Sequence, residues 1–303
     1  MMNYFKQVSV TAFLLLASSF TFGQNKVLVL QSDFGLKDGA VSAMKGVAIG
    51  ISPQLKIFDL THDIPAYNIW EAAYRLVQTV PYYPVGTVFV SVVDPGVGTE
   101  RKSVVLKTKT GQFIVTPDNG TLTLVAEALG IAAVRQIDEA INRRSNSAQS
   151  YTFHGRDVYA YTGARLASGT ITFAQVGALL PKKVVTIPYQ KAVLENGKLK
   201  GNISILDVQY GNVWTNISSE LLKKAEIKYG DVLHLKVFHN QEKVYEGDAP
   251  YCQTFGGVAV GQPLSYLNSL MQLSFALNQG DFAAAHKVGS GHDWSVEVNV
   301  KEH

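Results

Sequence analysis

The chain has 303 residues, of which 47% are hydrophobic and 17% are charged, and its formal net charge is +3. This composition is typical of a globular protein and excludes a disordered chain. The length predicts two domains, each large enough to bury a hydrophobic core. No basic run stands out, so nothing indicates a nucleic-acid partner. The single cysteine, Cys252, excludes an intrachain disulfide and a zinc site built on a cysteine cluster.

Residues 1–23 have the pattern of a secretory signal peptide. Lys6 supplies a positive charge, Val8–Phe20 is mostly apolar, and Thr21–Gly23 places small residues before a cleavage point. The apolar stretch is shorter than the roughly 20 residues that span a bilayer. We therefore expect a mature chain that begins near Gln24, is exported to the periplasm or the medium, and has no membrane partner afterwards. The alternative is an uncleaved membrane anchor.

Short apolar runs alternate with segments of helical spacing in the first half of the chain. This alternation is typical of βαβ units, and continuous apolar strands favour a mostly parallel sheet that is covered on both faces. The pattern predicts an N-terminal α/β domain over residues 24–190. Its predicted elements are strands at 26–31, 55–60 and 87–93, a hairpin over 104–115 that turns at Thr110-Gly111, and helices at 39–51, 69–80, 157–166 and 173–180.

The pattern changes near Pro181. From Lys198 onward, short strands separated by Gly and Asn turns predict a smaller, mostly antiparallel β domain over residues 191–303. The predicted strands are 203–208, 212–217, 232–238, 243–246, 273–276 and 295–300.

Each of the first three predicted strands leads to an aspartate, namely Asp33, Asp59 and Asp94. Ligands of open parallel sheets bind beyond the carboxyl ends of the strands, so three acids on successive units indicate a pocket. A single acid in such a position commonly caps a helix or a turn. Metal-dependent phosphatase chemistry on these acids is the weakest alternative.

The glycine-rich segment Asp94–Thr99 has neither the ending of a phosphate loop nor the spacing of a dinucleotide-binding turn. Its glycines would let Arg101 fold back toward Asp94, although a surface salt bridge is the alternative. His154 precedes a predicted helix and suits proton transfer near neutral pH, whereas a lone histidine is more commonly structural. No paired histidine spacing indicates a metal site.

In the second domain, the segment 207–216 combines polar and aromatic side chains. Aromatic rings can stack on a base, and an asparagine amide can read the edge of a purine. The alternative is a plain hairpin with Gly211-Asn212 at its turn.

Segments in a consistent order over most of residues 28–280 resemble the S-adenosylmethionine hydrolase family, the hydroxide adenosyltransferases related to fluorinase and chlorinase. The resemblance implies an N-terminal α/β domain, a C-terminal β-barrel-like domain and a homotrimer. Each site would then combine the N-terminal domain of one chain with the C-terminal domain of the next. The matching segments are SDFGLKDG (32–39), MKG (44–46), DLTHDIP (59–65), VVDPGVGTER (92–101), PDNG (117–120), FHGRD (153–157), QYGNVWTNI (209–217) and YLNS (266–269).

The resemblance also implies roles for individual residues and requires no metal or other cofactor. Asp94, Arg101 and His154 match the hydrolytic set of the family. Asp33 matches an acid that binds both ribose hydroxyls, a task that suits a carboxylate because it accepts two hydrogen bonds. The remaining matches are Asn212 for adenine, Phe255 for base stacking, Asp207 and Ser269 for the methionine amino and carboxylate groups, and Tyr67, Phe153, Tyr210 and Trp214 as pocket lining. Asp38 is expected to add a polar contact at the methionine end.

Three differences from the halogenating relatives favour water over halide. The halogenases have Tyr-Pro where this chain has Asp94-Pro95, and Tyr-Ser where it has His154-Gly155. They also carry a long insertion where this chain has only the short turn Thr108–Gly111.

We therefore predict hydrolysis of S-adenosyl-L-methionine to adenosine and L-methionine, by in-line attack of water at the ribose 5′ carbon. Arg101 would favour hydroxide character, while Asp94 and His154 would orient the water and take up its proton. The alternatives are a non-catalytic protein that binds S-adenosylmethionine or adenosine, and an S-adenosylmethionine-dependent halogenase.

Overall fold

The computed structural model describes residues 25–301, so the predicted signal peptide lies outside the described residues. The first sheet consists of β1 (Val27–Ser32), β2 (Lys56–Thr61), β3 (Val88–Val92), β4 (Ser103–Thr108), β5 (Phe113–Pro117), β6 (Ile131–Gln136) and β7 (Leu179–Leu180). Its strand order is β2-β1-β3-β5-β4-β6-β7. The pairs among β1, β2, β3 and β5 are parallel, whereas β4, β6 and β7 join antiparallel. The first sheet is therefore mixed, with a parallel half that carries the βαβ units.

Helices cover both faces of the first sheet. Strand β1 shows why, because successive side chains of a strand point to opposite faces. Leu28 and Leu30 belong to one hydrophobic cluster, and Val29 belongs to the other. The first cluster includes α1 (Ala40–Ile51) and α4 (Tyr161–Ser168), and the second includes α2 (Ile69–Thr79) and α3 (Thr123–Leu129).

The start of α4 places His154 at the edge of the sheet. A wide helical turn, Gly155–Ala160, precedes α4, and His154 caps that turn. Further along α4, a Cβ on Gly163 would collide with the side chain of Val90 in β3. Glycine at this position therefore lets the helix lie close against the sheet.

The second sheet is antiparallel and forms a nearly closed barrel. Its order is β12-β11-β15-β9-β10-β14-β13, with β8 paired to β9, and a bridge between Tyr251 and Ser265 brings its two ends together. Two short helices, α5 (Ser219–Lys224) and α6 (Phe282–His286), pack against it. The strands are β8 (Val193–Glu195), β9 (Lys198–Asp207), β10 (Asn212–Ser218), β11 (Val232–His239), β12 (Glu242–Pro250), β13 (Pro263–Leu267), β14 (Gln272–Leu277) and β15 (Trp294–Val300).

The fold class is confirmed, because an α/β sandwich whose sheet is parallel in its N-terminal part is followed by an antiparallel, barrel-like sheet. The helix predicted over 173–180 is wrong. A short turn, Phe173–Val176, is followed by Gly177 at a φ of 149° and then by β7, which pairs with β6. This glycine conformation ends the helical turn, and the edge of β6 supplies hydrogen bonds to β7. No element was predicted at the positions of α3, α5, α6, β6, β8 and β13.

Contacts between the two sheets hold α2 against β9. Trp70 donates a hydrogen bond from Nε1 to the backbone oxygen of Ser204 over 2.8 Å, and its ring meets Tyr189 edge-on at 4.9 Å. These contacts fix β9, which ends at Asp207, relative to the first sheet. Within residues 25–301, no helix combines the length and apolar character needed to cross a bilayer.

Candidate active site

Loops at the carboxyl ends of β1 and β3 form a first cavity of about 240 Å³. Asp33 follows β1 and Asp94 follows β3, which is where a parallel sheet binds its ligands. The segment that leads into α4 closes another side. The lining residues are Asp33, Phe34, Ala66, Tyr67, Val92, Asp94, Val97, Thr152, Phe153, His154 and Gly155.

Arg101 folds back onto Asp94, as the glycine-rich segment predicts. Its Nε lies 2.9 Å and 3.0 Å from the two carboxylate oxygens, and its Nη2 lies 2.6 Å from Oδ2. The two side chains are only 11% and 5% exposed, so this is a buried ion pair and not a surface salt bridge. Burial is the largest single influence on Arg101 and opposes its charge, but the hydrogen bonds to Asp94 together with the charge interactions of Tyr159, Asp94 and Glu139 outweigh it and raise the pKa of the guanidinium.

His154 lies between two arginines. Nη2 of Arg101 is 2.8 Å from Nδ1 of the imidazole, and Nη2 of Arg143 is 3.0 Å from Nε2. The side chain is buried, and this burial is the main reason that the pKa of His154 is lowered. The carboxylate of Glu139 acts in the opposite direction, while the two guanidinium groups lower the pKa further. The imidazole is therefore neutral at neutral pH.

Further polar side chains support this group from behind. Tyr159 donates a hydrogen bond to Oδ2 of Asp94 over 3.3 Å, and burial raises the pKa of its phenol. Ser103 accepts from Arg101 at 3.2 Å and donates to Glu139 at 3.1 Å. Glu139 also binds Arg143 at 2.6 Å. Glu139 and Arg143 were not predicted as site residues, because their only signal in the sequence is an acid–arginine pair spaced by four residues.

Asp33 points into the first cavity and accepts a hydrogen bond from the backbone nitrogen of Tyr67 at 2.9 Å. Tyr67 has a φ of 69°, a conformation that is uncommon outside glycine. The loop after β1 is held by Ser32, whose hydroxyl lies 2.6 Å from Nδ1 of His62. His62 is buried behind this loop, and its pKa is lowered, chiefly by burial.

The expectation that β2 also delivers an acid to this cavity is wrong. Asp59 lies within β2, where it binds Lys45 at 2.6 Å and His62 at 3.1 Å. Asp59 therefore belongs to a surface ion pair with Lys45 and also holds the buried His62 in place. The reason is geometric, because β2 is the edge strand and β1 separates it from β3.

A second, larger cavity of about 1170 Å³ opens in the barrel-like sheet. Nδ2 of Asn212 donates to Asp207 at 3.2 Å, and Nε1 of Trp214 donates to the hydroxyl of Tyr266 at 3.2 Å. Phe255 lies 4.8 Å from the Tyr266 ring. The predicted substrate residues that line this cavity are Asp207, Tyr210, Asn212, Trp214, Phe255 and Ser269.

The predicted site residues thus fall into two groups. Asp33, Tyr67, Asp94, Phe153 and His154 line the first cavity, with Arg101 bonded to Asp94 beside it. Among residues 25–301, the two cavities have no lining residue in common. Asp38 lines neither of them, and instead its carboxylate accepts a hydrogen bond from the backbone nitrogen of Ala40 at 2.8 Å, at the start of α1.

Two carboxylates and a neutral imidazole line the first cavity, and the guanidinium of Arg101 is bonded to one of these carboxylates beside it. Such a set can orient a water molecule and stabilise negative charge that develops on its oxygen. In the part of the chain that the structure describes, no three His, Cys, Asp or Glu side chains come together as a metal-binding cluster.

Comparison with known proteins links both halves of the chain to one family. Residues 28–177 match the SAM hydroxide adenosyltransferase N-terminal domain, and residues 201–295 match the corresponding C-terminal domain. The chain is also 36% identical to an uncharacterized conserved protein from Thermotoga maritima whose crystal structure is known. That similarity has a TM-score of 0.81 and covers 90% of this chain and 99% of the other.

Relatives with named activities support the same relationship. An (R)-S-adenosyl-L-methionine hydrolase from Methanocaldococcus jannaschii is 38% identical over 70% of this chain and 74% of its own length. An (R)-S-adenosyl-L-methionine hydrolase from Salinispora tropica is 35% identical over 82% of this chain and 89% of its own length. A fluorinase from an Actinoplanes species is 30% identical over 88% of this chain and 96% of its own length.

Proposed function

The chain belongs to the SAM hydroxide adenosyltransferase family, and from this membership we propose that it is an enzyme that hydrolyses S-adenosyl-L-methionine to adenosine and L-methionine. The observation that carries the proposal is the buried group of Asp94, Arg101 and His154 at the wall of the first cavity. The relatives called hydrolases and the two family matches support the same activity.

The reaction needs little more than an aligned water molecule. The sulfonium is already a good leaving group, so the water oxygen bonds to the ribose 5′ carbon while the carbon–sulfur electron pair returns to sulfur. Methionine leaves as a neutral thioether, and the water loses one proton. Arg101 stabilises the negative charge that develops on the water oxygen, and Asp94 orients the water. Asp33 holds the ribose hydroxyls at the other side of the cavity.

The experiment is product analysis in water enriched with ¹⁸O. The purified protein is incubated with S-adenosyl-L-methionine, the products are separated by chromatography, and their masses are measured by mass spectrometry. We expect equal amounts of adenosine and methionine, with the heavy oxygen in the adenosine. Adenosine without the label, a 5′-halogenated product formed in the presence of halide, or bound but intact substrate would each contradict hydrolysis.

A homotrimer with shared sites accounts for the two separate groups of substrate residues. The adenine-binding side chains of the second cavity, such as Asn212 and Phe255, and the hydrolytic group of the first cavity have to act on one molecule. Within one chain they line different cavities. Association that brings the first cavity of one subunit to the second cavity of its neighbour would complete each site.

Subunit mixing tests the shared site. Asp94→Asn and Asn212→Ala proteins are each expected to be inactive, and exchange between them should restore part of the activity. Recovery is expected because some interfaces then pair two intact cavities. Mass spectrometry of the intact assembly shows whether mixed trimers have formed. Proven mixing without recovery would contradict shared sites.

Export is proposed on the signal pattern of residues 1–23. The expected mature chain begins near Gln24 and is found in the periplasm or the medium. N-terminal sequencing of the protein from its native host, together with cell fractionation, tests this. A cytoplasmic chain that keeps Met1 would contradict it.

A further inference from the structure

We infer that Arg143 is a positioning residue for the hydrolysis, which together with Arg101 keeps His154 uncharged and leaves Asp94 as the group that takes the proton from water. This inference rests on the proposed function and refines its proton transfer. It gives a task to the pair of Glu139 and Arg143, which lies outside both cavities' linings.

The hydrogen-bonding capacity of the imidazole determines whether it can accept a proton. A neutral histidine has one nitrogen that donates and one that accepts, whereas a guanidinium only donates. Arg101 approaches Nδ1 at 2.8 Å and Arg143 approaches Nε2 at 3.0 Å. Whichever nitrogen carries the hydrogen, a guanidinium covers the other. The imidazole therefore offers no free lone pair to a proton that leaves the water.

Protonation of His154 is also opposed by charge. An imidazolium would direct both of its N–H groups at cations in a buried place. Asp94 faces the same region but is bonded to Arg101, and Glu139 is bonded to Arg143 at 2.6 Å. The rings of Tyr151 and Tyr159 also lie near the imidazole, at centroid distances of 6.1 Å and 6.5 Å. Glu139 and Asp94 favour a positive charge on the ring, but burial and the two arginines outweigh them.

Asp94 has the capacity that His154 lacks. A carboxylate offers about four acceptor positions on its two oxygens. Oδ2 accepts hydrogen bonds from Arg101 and Tyr159, whereas Oδ1 accepts only from Nε of Arg101 among residues 25–301. Oδ1 can therefore accept the proton while the oxygen–carbon bond forms, and the carboxyl then releases it to solvent. His154 acts as a neutral group that positions Arg101 and makes no direct hydrogen bond to the water.

The first test follows the titration of His154 by NMR, without substrate. The His154→Asn variant identifies its signal among the histidines of the protein. We expect a pKa below the ordinary value of about 6.5 in the unaltered protein. Arg143→Gln should raise that pKa by about one pH unit, and Glu139→Gln should lower it further. The matched control is Arg144→Gln, which replaces an exposed neighbouring arginine and should leave the pKa of His154 unchanged.

Opposite shifts are the decisive feature, because loss of structure would move both variants in the same direction, toward the ordinary value. Equal shifts, or no shift in Arg143→Gln, would overturn the role of Arg143. This outcome does not depend on turnover. If the unaltered protein fails to hydrolyse S-adenosyl-L-methionine, the proposed function fails while the titration still decides the charge state of His154.

The second test measures kcat against pH. In Arg143→Gln the loss of activity on acidification should begin at a higher pH, by the same interval as the pKa shift, with KM changed by less than about threefold. His154→Asn keeps a neutral group that donates and accepts, so kcat should fall by less than about tenfold. A general base is worth roughly 10²–10⁴ in rate, and a loss of that size in His154→Asn would make His154 the proton acceptor and overturn the inference.

Discussion

Replacement of Arg101 by alanine should separate catalysis from substrate binding. The guanidinium contacts Asp94, Ser103 and His154 but does not line the cavity. We expect it to act on the developing charge of the nucleophile, which exists only in the transition state. Loss of such an electrostatic interaction typically lowers kcat by about 10²–10³, or roughly 3–4 kcal/mol. Substrate affinity should change little.

The same replacement should also destabilise the fold. The side chain of Asp94 is 5% exposed, and without Arg101 its carboxylate keeps, among residues 25–301, only the hydrogen bond from Tyr159 at 3.3 Å. An ion left buried without its partner costs about 3–5 kcal/mol. For a domain of this size, each kcal/mol lowers Tm by roughly 2–4 °C. A variant that is merely unfolded could therefore be mistaken for a catalytic one.

The double variant Asp94→Asn/Arg101→Ala distinguishes these effects. It removes both charges, so Tm should recover most of its loss while kcat stays low. The assay combines kcat, thermal melting and the Kd of S-adenosylhomocysteine, a thioether analogue that lacks the reactive sulfonium. Arg144→Ala controls for the loss of an exposed arginine. Normal kcat with a raised Kd in Arg101→Ala would refute the reasoning and make Arg101 a binding residue.

Three further predictions follow from the fold and the site. Asp33→Ala should raise the Kd of the analogue more than it lowers kcat, because the ribose contacts exist in the ground state as well as in the transition state. Calorimetry measures Kd and kinetics measure kcat, and a large fall in kcat with an unchanged Kd would instead make Asp33 catalytic. The pKa of His62 is lowered in the folded chain, so its contribution to stability is complete above about pH 6.5 and is lost as the pH falls below that value. The Tm of His62→Gln should therefore vary less between pH 7 and pH 5 than the Tm of the unaltered protein. An equal variation in both proteins would count against this role. Gly163→Ala should lower the free energy of unfolding by about 1–3 kcal/mol, measured with denaturant, because its Cβ would clash with Val90. The control Gly50→Ala, in open space on α1, should not destabilise the protein. Equal effects of the two substitutions would contradict close packing at Gly163.

The local pattern of the sequence was enough to predict the parallel half of the first sheet. Apolar β-branched runs separated by helical spacing are short-range signals, and β1 and β3 lie where they indicated. The pairing of Arg101 with Asp94 was also predictable, because a glycine-rich turn joins them over a short length of chain. The segment 173–180 failed because its apolar residues fit a helix locally, while a strand pairing with β6 decided its structure.

The sequence by itself determined the family, the fold class and the chemical types of the hydrolytic residues, since each of these is written in contiguous segments. Only the tertiary structure decided which charges surround His154 and which carboxylate stays outside the cavity. Arg143 reaches His154 from an irregular segment without a motif, where Glu139 binds it, and Asp59 is kept from the cavity by its place on the edge strand. Burial, which sets the protonation of His154, depends on helices and strands far apart in the chain. Local sequence cannot specify such contacts, because they depend on how distant segments pack.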